Sequence, residues 1–84
     1  MNNLKTGEVI TFSRPGKYMV INIYQDKYHR MLAETVNVSD LMNNRSYSIE
    51  TFDVGNMGTI THIGYNKQAM EKFENETTKG EESS

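Results

Sequence analysis

Residues 17–32 read KYMVINIYQDKYHRML, a run of β-branched and aromatic residues broken by three polar positions, Gln25, Asp26 and Lys27. Val, Ile and Tyr fit a pleated, half-buried surface, so the run predicts two antiparallel strands with the polar break between them. With Gln25, Asp26 and Lys27 as a three-residue loop, Tyr24 opposes Tyr28, and the register pairs Ile23 with His29, Ile21 with Met31 and Met19 with Ala33. One face is then almost wholly apolar, with Met19, Ile21, Ile23 and Met31 as its core set. The other face carries Tyr18, Val20, Asn22 and Tyr24 against Glu34, Leu32, Arg30 and Tyr28. A one-residue slip would mix the two sets, because side chains alternate across a strand.

Outward from this hairpin, GEVITF at 7–12 reads as a strand, closed by SRPGK, where Pro15 presets a turn and Gly16 accepts a positive φ. The third strand is YHRMLAETVNV. After Val38, SDLMNNRS is turn-rich, and Ser39 or Asp40 can cap one helical turn holding Leu41 and Met42. SYSIETF gives a fourth strand, DVGNMG a turn and TITHIG a short fifth strand. From Asn66 the period becomes helical, with Ala69, Met70 and Phe73 as a narrow apolar stripe that must dock if so short a helix is to persist. The expected organisation is a small β-barrel domain at 1–65, a short C-terminal helix at 66–76 and a disordered acidic tail at 77–84. The fold class is therefore mainly β: a small five-stranded bent antiparallel sheet or open barrel with one short C-terminal helix.

The succession LKTGEVITF, GKYMVINI, YHRMLAETVNV resembles the opening strands of SH3-like small barrels, a superfold that includes Tudor-like and KOW-type modules and many short proteins encoded by phages and prophages. The likeness spans residues 4–64 and is carried by Gly7, by the Gly16-Lys17-Tyr18 entry and by strand lengths. The chain departs from aromatic-cage members in having no tryptophan, and from nucleic-acid-binding members in lacking basic loops. The resemblance implies an SH3-like open barrel. Such barrels share a backbone and differ in what they bind, so it speaks to fold more than to function.

Composition narrows the function classes. At 84 residues the chain is one domain at most. A body this small buries only about 60% of its unfolded surface, so a deep catalytic cleft would compete with the core, and the expectation is a non-enzyme without cofactor. Cysteine is absent, which removes disulfide frameworks and thiolate metal sites and fits a reducing compartment, with cytoplasm as the default. The opening MNNLKTGEVITF lacks a basic then apolar leader pattern, and no apolar run is long enough to span a bilayer. Residues 1–65 hold six basic and six acidic side chains, while residues 66–84 hold three lysines and five glutamates, so the net charge of −2 lies in the tail. A neutral body offers few clustered cations to displace counterions from a phosphate backbone, which disfavours nucleic acid as the main partner.

His29 and His62 are the only histidines and lack a third ligand at metal-site spacing, so both read as strand residues at the core edge. GNMG at 55–58 matches a backbone-clamping glycine loop but lies between strands, and it reads as a turn. The candidate binding residues are Tyr18, Asn22, Tyr24, Tyr28 and Arg30, a neutral, aromatic surface suited to a protein partner or to self-association. The same face, with Arg14, Lys17 and Lys27 from adjoining turns, is the candidate for a weak single-strand nucleic-acid contact. Against both stands the reading in which Met70 and Phe73 of the C-terminal helix fold back and cover this face.

Overall fold

The computed structural model describes residues 4–82, with side chains over 4–76. Five strands, β1 (Glu8–Thr11), β2 (Tyr18–Gln25), β3 (Met31–Asn37), β4 (Glu50–Asp53) and β5 (Thr61–Tyr65), form one open antiparallel sheet in the order β4-β3-β2-β1-β5. Two helices, α1 (Val38–Met42) and α2 (Lys67–Glu82), and a 3-10 turn at Val54–Asn56 complete it. The mainly β architecture, its five strands and its C-terminal helix are those the sequence pattern predicts. Of the expected tail at 77–84, the backbone of 77–82 continues α2, while its side chains and residues 83–84 lie outside the described residues.

The register of the central hairpin differs from the expected one. Tyr24 pairs with Leu32, Ile23 with Ala33 and Asn22 with Glu34; past a bulge at Ile21, Val20 pairs with Thr35, Met19 with Val36 and Tyr18 with Asn37. The turn lies two residues later than the polar break suggested. Asp26 and Arg30 face each other through an Asp26 N–H donated to the Arg30 carbonyl at 3.0 Å, and His29 N–H donates to the Asp26 carbonyl at 3.0 Å. That leaves Lys27, Tyr28 and His29 as the loop. The position that usually calls for glycine is filled by His29 at φ 65°, a left-handed conformation that histidine tolerates better than most residues.

The bulge decides what is inside. An extra residue on one strand reverses the alternation beyond it, so Tyr18 and Val20 share a face with Ile23, while Met19 shares the opposite face with Asn22 and Tyr24. Each face then builds its own core. On one, Ile10, Tyr18, Val20 and Ala33 pack with Val54 and Met57, and Phe12, Phe52 and Ile60 close around them. Val54, Met57 and Ile60 belong to the connection that carries the chain from edge strand β4 to the other edge, β5. Ser13 N–H donates to the Met57 carbonyl at 3.2 Å and pins that crossing to the β1–β2 turn. Asp53 starts it, its Oδ1 accepting from Gly55 N–H at 2.9 Å.

On the other face, Val9, Met19 and Val36 meet Val38 and Leu41 of α1 and Ala69 of α2, with Ile21, Tyr47, Met70 and Phe73 packed against them. Asn37 rather than Ser39 or Asp40 caps α1, accepting from Asp40 N–H at 3.0 Å. Asn66 caps α2, accepting from Ala69 N–H at 3.0 Å. The C-terminal helix docks, and Tyr47 fastens it: its ring lies 6.5 Å from that of Phe73 and its hydroxyl donates to Glu76 Oε1 at 2.8 Å. Partial burial first, and the hydrogen bond to Glu76 second, push the Tyr47 phenol up to about 12, which keeps it a donor to the helix.

Consecutive residues Met19 and Val20 are both wholly buried, on opposite faces. Met19→Ala and Val20→Ala should each therefore cost about 2 kcal/mol or more in urea unfolding. A sheet with one wet face would lose stability in only one of the two variants.

Candidate binding surface at the central hairpin

Asp26 organises the tip of the hairpin. Its Oδ1 accepts from the backbone N–H of Tyr28 and of Arg30, each at 2.9 Å, and its Oδ2 accepts from Arg30 Nε at 2.8 Å. Gln25 Nε2 adds a bond to the His29 carbonyl at 3.2 Å. The backbone donor of Arg30 is the main influence that holds the Asp26 carboxyl below its ordinary value, with the Arg30 guanidinium and the Tyr28 N–H acting in the same sense and desolvation opposing them. The bonds fix Arg30 beside Tyr28, its guanidinium carbon 5.5 Å from the ring centroid, while Lys27 Nζ stands 5.2 Å from the same centroid. Tyr28 remains 65% exposed between these two cations.

Around this tip the structure separates the residues the sequence grouped. Tyr24 and Asn22 do lie on one face of β2, where Asn22 Nδ2 donates to Glu34 Oε1 at 3.1 Å. Tyr24, Tyr28 and Met31 are all exposed large side chains at this end of the sheet. Tyr18 does not join them. It is 3% exposed on the opposite face, its ring 5.4 Å from Phe12 and 5.9 Å from Phe52. Met31, expected in the core beside Ile21, instead faces solvent opposite Gln25. The bulge at Ile21 explains Tyr18, and the displaced turn explains Met31. Nor do Met70 and Phe73 cover the tyrosines: α2 packs over Met19 and Val36, at the other end of β2 from Tyr24.

The basic residues of the adjoining turns are dispersed as well. Arg14 lies over the Phe52 and Tyr18 rings at 5.3 and 5.6 Å and pairs with Glu50 at 3.0 Å, closing the second core rather than extending the tip. Lys17 lies in a groove beside β5. Of the two histidines, His62 faces Glu8 across the β1–β5 pair, Nδ1 to Oε2 at 2.9 Å, and His29 shapes the turn. The 3-10 turn replaces any glycine clamp at 55–58, with Val54 and Met57 as core plugs that the turn-like sequence conceals. Among the described residues no group of three or more His, Cys, Asp or Glu is placed to hold a metal ion, and no helix is long and apolar enough to cross a membrane.

Compared with protein-family models, curated proteins and solved structures, the chain has no match.

Because Asp26 has a folded-state value below its ordinary 3.8, its ionised form favours the ordered tip above the ordinary carboxylate range, and that contribution fades as pH falls through the range toward the folded-state value. The amide resonances of Tyr28 and Arg30 should therefore hold steady from neutral pH to about pH 4 and move below it. In Asp26→Ala they should already be displaced at neutral pH and show no such titration. An unchanged tip in that variant would remove Asp26 as its organiser.

Proposed function

We propose that this chain is a non-enzymatic protein-interaction module on a small barrel-like sheet, and that it docks on a larger protein partner through Tyr24, Tyr28 and Arg30. One observation carries the reading: Tyr28 is two-thirds exposed yet held in place, on a turn whose backbone and Arg30 side chain are both bonded to Asp26. Tyr and Arg are among the residue types enriched at protein interfaces, and an aromatic side chain on an already ordered turn loses less conformational freedom on binding. The size of the body supports a binding rather than a catalytic role, since among the described residues both faces of the sheet are covered by packing over most of their extent.

The composition of the tip favours protein over single-stranded nucleic acid. Among the described residues the tip carries two full cations, Lys27 and Arg30; Asp26 offsets one of them, and Arg14 is engaged with Glu50. Phosphate-backbone binding draws on several clustered cations and weakens steeply with salt.

The test is affinity capture beside an amide-shift titration with oligo-dT and oligo-rU at two salt concentrations. The Tyr24→Ser, Tyr28→Ser double variant should lose the captured protein while unfolding at the same urea concentration as the wild type, and the oligonucleotides should leave the tip resonances in place. Capture that survives the double variant removes this surface. Tip shifts with oligonucleotide that collapse at the higher salt replace the protein reading by the nucleic-acid one.

A further inference from the structure

Beyond the hairpin tip, and sharing no residue with it, lies the free edge of β5. Among the described residues the sheet ends there, and the backbone hydrogen bonds of Thr61–Tyr65 run to β1 alone. An open edge presents a row of unpaired N–H and C=O groups, which natural sheets usually cover or charge. The opposite edge, β4, is charged on the strand itself by Glu50 and Asp53. β5 carries no carboxylate; it exposes Ile63 by half and Tyr65 by 63%.

The strand is also shaped for a close approach. Val9 pairs with Gly64 and Ile10 with His62, which leaves Ile63 as the extra residue of a bulge. Gly64 sits at φ 128°, and a Cβ built on it would meet nothing within 4 Å. The space over the glycine is the floor of a groove of about 330 Å³, walled by Val9, Val38, Ile63 and Tyr65 and flanked by Lys17 and Lys67. Glycine inside a strand, facing open space, is where another backbone can come near.

The charge of the groove selects the occupant. Its lining includes two lysines and no carboxylate. Lys67 has one acidic neighbour on its own helix, Glu71, at a loose 3.9 Å between well-exposed groups, and Lys17 has no ion pair among the described residues. Among the described residues, two copies of this chain meeting edge to edge would gather four such lysines against only the two loosely placed Glu71 carboxylates. We propose that β5 accepts an extended segment of a partner protein as a sixth strand, apolar at alternate positions to sit over Gly64 between Ile63 and Tyr65, and acidic at its ends to reach Lys17 and Lys67. Main-chain pairing supplies the affinity and the lysines supply the choice of partner.

The probe is a capped seven-residue peptide of alternating valine and threonine between terminal glutamates, titrated into the full chain and read by amide shifts. Binding should move the resonances of Thr61–Tyr65 and leave those of the hairpin tip. The same peptide with lysine ends, or the glutamate-ended peptide added to the K17E/K67E double variant, should bind about tenfold more weakly. A central proline, which removes a ladder donor, should abolish the effect. Three results would overturn the proposal: no movement at Thr61–Tyr65 in the millimolar range, equal binding of the lysine-ended peptide, or sedimentation of the free chain as a dimer through this edge. None of these bears on capture through Tyr24 and Tyr28.

Discussion

A five-stranded sheet with apolar side chains on both faces has to be covered twice, and in this chain the single extra residue at Ile21 sets how. By reversing the alternation midway along β2, it turns Tyr18 and Val20 to one side and Met19 to the other, so that the first half of the strand is buried all round. The long run of β-branched and aromatic residues that opens β2 has a physical reason in this: it is a strand without a wet face. Everything that covers the sheet follows. Helices α1 and α2 lie over Met19 and Val36, and the β4–β5 crossing lies over Tyr18 and Val20. Neither layer is large, and each is fastened by polar contacts at its rim, Tyr47 to Glu76 on one side and Ser13 to Met57 on the other.

The far end of the same hairpin has the opposite character. Beyond Ile23 neither layer reaches, so Tyr24, Met31 and Tyr28 stand in solvent, and order there comes from the carboxylate of Asp26 instead of from packing. The molecule thus divides along β2 into a buried half, where sequence is constrained by volume, and a presented half, where it is constrained by hydrogen bonding. Among the described residues, exposed aromatics stand on a locked turn at one end of the sheet, and β5 forms an edge strand at another.

Much of this was legible in the sequence, and the failures have particular causes. Strand positions, the Pro15-Gly16 turn, the helical turn after Val38 and the Asn66-capped helix follow from local chemistry, and local chemistry decided them. Gly16 has φ 102° and Asn66 accepts the Ala69 N–H as anticipated. The register did not follow, because the polar triplet Gln25, Asp26 and Lys27 marks the end of β2 and the start of the loop without showing that His29 would take the left-handed position in place of glycine. The bulge left no local mark either: Val20, Ile21 and Asn22 are unremarkable strand residues, and the reversal is fixed by which partners β1 and β3 offer. Of the candidate site, the tip residues Tyr24, Tyr28 and Arg30 were readable as exposed. Tyr18 was not readable as core, and the organising role of Asp26 and the groove over Gly64 depend on contacts that no spacing encodes.

The most direct test of this account is the set of interproton contacts across β2 and β3 in solution. The bulged register predicts that Ile23 lies opposite Ala33 and Val20 opposite Thr35, with the Tyr18 ring protons close to those of Phe12 and Phe52. Contacts between Ile21 and Met31, with Tyr18 free of the phenylalanines, would restore the unbulged pairing and contradict the two-core structure on which both proposed binding surfaces rest.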